Sequence, residues 1–287
     1  MRLQLHWAAF LLHSISSILS IIFDTGGQKR QIYIQETTYK RNVSTEITQQ
    51  SIGAQDVLVW IFINELITAL SHAYSLYTYY YTSLNDENAH TFELTRRSWE
   101  YTITAAVIPV ALVLGVSDIA LTDVIFIFVI NAVIQWLGMM NLSMPAFLLL
   151  SAELSYVSIL LYGVDYSVFS ASTFYILIGI MYMIFYISFG FVKLANIQRK
   201  FIEDDIYIIL SVACKISLSW LLISNIYTGY YDLCGTSEVC EMVKKSAFYG
   251  DWFAWQIGFL VFGTIGLLWS AYIVYQEKIK YEDYELL

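Results

Sequence analysis

Eight long apolar runs pattern the chain, at 3–23, 54–79, 94–116, 119–141, 145–163, 168–193, 205–228 and 252–275. Each approaches or exceeds the ~20 residues that an α-helix needs to cross a bilayer. The breaks between them are short. Gly115-Val116-Ser117-Asp118 separates helices three and four. Asn141-Leu142-Ser143-Met144 separates helices four and five, with Pro145 opening the fifth. Connections this short force antiparallel neighbours, hence a bundle. Pro109 lies inside helix three and is expected to kink it. The polar segment 82–93 reads as a loop. The longer loop, 25–53, changes to a period of two in Gln31-Ile32-Tyr33-Ile34-Gln35 and Asn42-Val43-Ser44-Thr45-Glu46-Ile47. That alternation predicts a small β-hairpin lying over the bundle. The first run lacks a strongly basic start and a small-residue cleavage site, so it is expected to be a retained helix.

Composition narrows the class. Of 287 residues, 58% are hydrophobic and only 14% charged, against roughly 45–50% and about 25% in soluble domains. Disorder is excluded by the apolar content, and a disulfide-stapled module by three cysteines in a chain this long. A net charge of -9 without a basic stripe argues against nucleic acid. An all-α, multi-pass membrane protein with lipid as its surroundings is the expectation. No Gly-rich phosphate loop, HExxH, GxSxG or CxxC occurs, so the residues indicate no enzyme. Cysteine and histidine spacings indicate no metal site.

Orientation follows from Lys and Arg. With the N-terminus inside, the inner side holds Arg2, Arg96, Arg97, Lys193, Arg199, Lys200, Lys278 and Lys280. The outer side holds Lys29, Arg30, Lys40, Arg41, Lys244 and Lys245, all in the two longest loops. Asn42-Val43-Ser44 is a glycosylation sequon on the outer side. Cys234 and Cys240 bracket the last outer loop, where a disulfide can persist; two free thiols are the alternative. Both termini are then cytoplasmic.

Ionisable residues within spans are costly and mark function. Lys215 lies about 15 Å from the inner end of helix seven. A lysine stem reaches on the order of 6 Å, too short to snorkel out. A structural ion pair, a neutral amine and an aldehyde-capturing lysine remain as readings. Glu100, in Arg97-Ser98-Trp99-Glu100-Tyr101-Thr102-Ile103-Thr104, sits at a similar depth on helix three. It can neutralise a cation at Lys215, or pair locally with Arg97 at i−3. His13 and His72 lie well within helices one and two, and Glu65, Thr68 and His72 share one face of helix two. They suit proton storage or relay, or simple structural hydrogen bonding. Glu153, mid-helix five, is either helix-to-helix glue or a proton site. Trp136, Phe185, Phe189 and Trp220 can wall a flat conjugated ligand or simply pack. Tyr74, Tyr77, Tyr79, Tyr80 and Tyr81 fit an interfacial belt.

These residues together resemble the heliorhodopsins, over roughly residues 1–230. Ser211-Val212-Ala213-Cys214-Lys215 looks like that family's SxxxK retinal motif, with Trp220 at the expected distance. Arg97-x-x-Glu100-Tyr101-Thr102 looks like its counterion motif, with Thr for Ser. His13 and His72 match the two histidines that the family keeps on its first helices. The resemblance implies a seven-helix, rhodopsin-like bundle binding all-trans retinal. Lys215 would carry it as a protonated Schiff base, with Glu100 as counterion. His13, His72, Arg97 and Ser211 would line an inner polar cavity that receives a proton after illumination. Tyr101, Thr104, Trp136, Phe185, Phe189 and Trp220 would be pocket candidates. A homodimer is implied by the resemblance alone. The chain departs from the pattern at Ser16, where a glutamine is expected, and in adding Glu65 and Glu153. Segment 231–251 forms an outer cysteine-containing loop. Segment 252–287 adds a predicted eighth crossing and an acidic tail.

The resulting expectation is a light sensor in which retinal isomerisation drives proton transfer and a conformational switch. One alternative is a light-gated proton channel or transporter using Glu65 and Glu153. Another is a transporter without a chromophore, with Lys215 in an ordinary ion pair.

Overall fold

The computed structural model describes residues 2–22, 29–39, 45–82, 86–116, 118–162, 173–197, 199–233 and 247–285. Eight helices form the described body: α1 Arg2–Ile22, α2 Val57–Tyr81, α3 Asp86–Val116, α4 Leu121–Met139, α5 Ser143–Tyr162, α6 Thr173–Leu194, α7 Lys200–Leu233 and α8 Ala247–Glu285. All eight contain a stretch long and apolar enough to cross a membrane, as a multi-pass membrane protein requires. The predicted runs mark the right helices but clip several ends. α3 begins at Asp86, so most of the polar segment read as a loop is its first two turns. α7 and α8 likewise extend beyond their apolar runs at both ends. Hydropathy registers only the part facing lipid or core, whereas backbone hydrogen bonding continues into the polar flanks.

The helix ends explain the tight connections. The Asp56 carboxylate caps α2 by accepting from the Leu58 N–H at 2.9 Å. α4 ends on Asn141 at φ 59°, and the Leu142 N–H reaches back to the Leu137 carbonyl at 2.9 Å. Asparagine tolerates that left-handed conformation, and the turn sends α5 back beside α4. Asn196, at φ 46°, does the same after α6.

Strands β1 (Lys29–Tyr39) and β2 (Thr45–Asp56) pair antiparallel, with an irregularity between Ile32 and Tyr33. Both are longer than the alternating segments that predicted them. A short third strand, β3 (Ile119–Ala120), pairs parallel with β1 through Ile32 and Tyr33. This strand falls in the α3–α4 connection and had no sequence signal of its own. The Gln31 N–H also donates to Asp118 at 2.7 Å. Buried Ile32 therefore anchors the sheet to the bundle. Asn42, Cys234 and Cys240 lie outside the described residues.

α3 and α7 are buried over most of their length and form the centre. α8 packs mainly on α7, with a smaller contact to α6, and much of its described surface is exposed. The contact uses small residues: a Cβ on Gly263 would lie 2.5 Å from Phe185 and 2.6 Å from the Ser217 hydroxyl, and one on Gly266 would collide with Ala213. Phe259 stacks on Trp220, ring centroids 5.3 Å apart. Arg199, before α7, and Glu277, on α8, form a bidentate pair at 2.5 and 2.7 Å. Arg2 lies at the same end of the bundle, 3.6 Å from Asp204 and Asp205 at the start of α7. This N-terminal end of the bundle lies opposite the sheet.

Candidate functional site

Lys215 lies midway along α7, and its side chain is 5% exposed. Its ammonium Nζ donates to Glu100 Oε1 at 2.5 Å, Thr104 Oγ1 at 2.8 Å and Thr68 Oγ1 at 2.9 Å. The Tyr101 ring lies 4.8 Å away. The three donor positions of an ammonium are thus all used. Helical spacing assembles the acceptors: Glu100 and Thr104 are one turn apart on α3, while Thr68 faces them from α2.

Glu100 accepts from a second cation. Its Oε2 receives Arg96 Nη1 at 2.7 Å and the Ser71 hydroxyl at 2.7 Å. The sequence reading offered Arg97 as the local partner of Glu100, and the structure corrects it. A one-residue step turns a helix by about 100°, so Arg97 points elsewhere. It packs 3.7 Å over the Tyr207 ring and lies 3.3 Å from Asp204. Arg96 instead bridges Glu100 and Glu93, the latter at 2.9 Å.

Beyond Thr68, polar contacts continue along α2. His13 Nδ1 meets Glu65 Oε2 at 2.6 Å, both side chains fully buried. Glu65 Oε1 accepts from Ser219 at 2.5 Å and from Asn64 at 3.1 Å. His13 stacks on His72 with centroids 6.1 Å apart. His72 Nδ1 meets His6 Nδ1 at 2.9 Å, and His6 Nε2 lies 3.1 Å from Glu93. His72, Arg97, Glu100 and Ser211 border a small polar cleft that also touches Asp204.

A second space opens beside Lys215. It is a cavity of about 100 Å³ between α3, α4, α5, α6 and α7. Tyr101, Ile134, Phe147, Leu150, Tyr186 and Phe189 supply most of its apolar wall. Lys215 and Cys214 stand at one part of the lining, and Gly138 and Ser143, beside the α4–α5 turn, at another. An amine beside an aromatic-walled cavity suits an apolar, conjugated aldehyde. The partly buried rings of Phe147 and Phe189 stand on its wall.

The remaining candidates divide. Tyr101 and Phe189 border the cavity, and Thr104 binds Lys215. Phe185 is fully buried but sits under α8, against Gly263. Trp220 is buried, donates to Ser16 at 3.0 Å and stacks on α8. Trp136 does not face the bundle: it is 52% exposed on the outer surface of α4. Glu153 is fully buried, and its carboxylate accepts from Asn131 of α4. Among the described residues, no hydrogen bond or ion pair links Glu153 to Glu65. No group of described residues could hold a metal ion.

Sequence reasoning missed His6, Arg96, Glu93 and Ser219. A signal existed for three of them: His6 and Glu93 lie seven residues before His13 and Glu100, and Ser219 lies four after Lys215. All three spacings return to the same helix face.

No protein-family model matches this chain, and no curated protein matches it.

Proposed function

We propose that this chain is a light-responsive retinal protein, a seven-helix rhodopsin-like bundle with an added eighth helix and its N-terminus in the cytoplasm. The observation that supports it most is the amine of Lys215. It is buried in mid-bundle, held by Glu100 at 2.5 Å and set at an aromatic-walled cavity. An ordinary structural ion pair has no need of such a cavity.

Lys215 would hold all-trans retinal through its amine, and Tyr101, Ile134, Phe147, Leu150, Tyr186 and Phe189 would line it. When bound, retinal supplies visible absorption and a light-driven change of shape. The chain's residues supply the proton chemistry. Glu100 keeps a negative charge beside the Lys215 nitrogen, and a buried cation requires that partner. Arg96 and Ser71 hold the second carboxylate oxygen, fixing Glu100 in place. Thr68 links the Lys215 nitrogen to the face of α2 that carries His72. A proton displaced from that nitrogen finds basic nitrogens at His72, His13 and His6, within a seam closed to bulk water. The change of charge there is the signal, and a homodimer or another membrane partner would read it.

The test is a visible absorption spectrum of the purified protein supplied with all-trans retinal, beside Lys215→Ala. A visible band, bleached by hydroxylamine and absent from Lys215→Ala, is the expected result. Well-folded protein without a band would overturn the proposal.

A further inference from the structure

The buried face of α1 is unusual for a membrane helix. Its buried residues are His6, Ala9, His13, Ser16, Ser17 and Ser20, with no large apolar side chain among them. The apolar residues Leu11, Ile15, Ile18 and Ile22 face outward. At 1.5 Å per residue, His6 to Ser20 spans about 21 Å, some two-thirds of a hydrocarbon core. α2 answers this stripe with Asn64, Glu65, Thr68, His72 and Ser75, all fully or almost fully buried. α7 adds Ser219 and Ser224.

Serines alone would serve close helix packing. The middle of the seam goes further. It holds a His13–Glu65 pair with no exposure, a costly arrangement that packing does not require. Nε2 of His13 and Nε2 of His72 are buried without a protein partner among the described residues. Buried polar atoms are ordinarily satisfied, so these two imidazole nitrogens stand out as groups free to take up a proton. Glu65, His13, His72, His6 and Glu93 then form a nearly unbroken series of proton-holding groups. It ends beside Ser75 and Arg96 toward the N-terminal end. Toward the sheet, the described residues continue the series with Asn64 and hydroxyls, and Trp220 crosses it by donating to Ser16.

We infer that this seam carries protons from one membrane face to the other, and that movement of α7 opens it. The coupling is local. Ser219 holds Glu65 and lies one turn beyond Lys215, and Trp220 follows it. A displacement of α7 at Lys215 therefore loosens the Ser219–Glu65 bond and the Trp220–Ser16 bar together. A proton taken up by Glu65 from the sheet side passes to His13 and then, through water admitted when the seam opens, to His72, His6 and Glu93. Glu93 releases it at the other end, and each group regains its starting state. Glu153 has no part in this path.

The inference rests on the retinal reading for its trigger, and the experiment separates the two. The protein would be expressed with all-trans retinal in a voltage-clamped cell, and its visible band measured on the same preparation. The expected result is a light-dependent current whose reversal potential follows the proton gradient. Glu65→Gln should lower it at least tenfold with the visible band retained, and Glu153→Gln should leave it unchanged. If Glu65→Gln does not fold, Ser219→Ala tests the same link and should reduce the current severalfold. A visible band with no current at any voltage or gradient would overturn the path and leave the pigment standing. A current indifferent to both Glu65→Gln and Ser219→Ala would also overturn it. Folded protein with no band would remove the trigger and both proposals with it.

Discussion

Replacing Glu100 by Gln removes one charge from a site with three charged groups. Lys215 lies at 2.5 Å and Arg96 at 2.7 Å from its two oxygens. At an effective dielectric of about 20, one pair at 2.5 Å is worth about 6–7 kcal/mol of gross attraction. Part of that is recovered, because the glutamine amide still accepts a hydrogen bond and Thr68 and Thr104 remain as acceptors for Lys215. Glu93 also still neutralises Arg96. Removing one partner of a buried pair typically costs about 3–5 kcal/mol, because the other charge stays buried. That figure is the expectation for Glu100→Gln in the retinal-free protein. At about 2–3 °C per kcal/mol for a chain of this length, the melting temperature should fall by about 6–15 °C. Glu153→Gln is the control. Its described partner is an asparagine rather than a cation, so it should cost about 1 kcal/mol or less. Combining Glu100→Gln with Lys215→Met should recover at least half of the loss, because the unpaired ammonium is gone. The assay is thermal unfolding in detergent of the three variants and the parent. The reasoning fails if Glu100→Gln melts within 2 °C of Glu153→Gln, or if Lys215→Met restores nothing.

The close contact between α7 and α8 predicts that Gly266→Leu costs about 1–3 kcal/mol through overpacking. Disulfide formation between Arg199→Cys and Glu277→Cys should then fall severalfold, and an unchanged yield would refute the packing argument. Arg97→Lys should lose the stack on Tyr207 and about 1–2 kcal/mol in thermal unfolding. Trp136→Ala, on the exposed face of α4, should stay within about 0.5 kcal/mol of the parent.

The crossings were legible because burial in lipid leaves an apolar run of a fixed length. The chemistry of Lys215, Glu100, His13, His72 and Glu65 was legible for the converse reason: an ionisable group inside such a run is too costly to be incidental. Sequence alone therefore determined the long apolar helices, the presence of β structure after the first of them and the residue types of the site. It did not determine partners. Arg96 and Arg97 are equivalent as neighbours of Glu100 in the sequence, and only the 100° turn between them on a folded helix decides which one binds it. Trp136 and Trp220 read alike as aromatic residues in spans, yet one faces outward and the other closes onto Ser16, because the rotation of each helix is set by its neighbours. Glu65 and Glu153 read alike as intramembrane carboxyls. The packing of α1 and α7 around α2 gives Glu65 a histidine and a serine, while among the described residues Glu153 on α5 is bonded to an asparagine of α4. Such pairings depend on side chains as far as 204 positions apart, as Ser16 and Trp220 are. No local pattern encodes contacts of that kind; they exist only once the helices have packed.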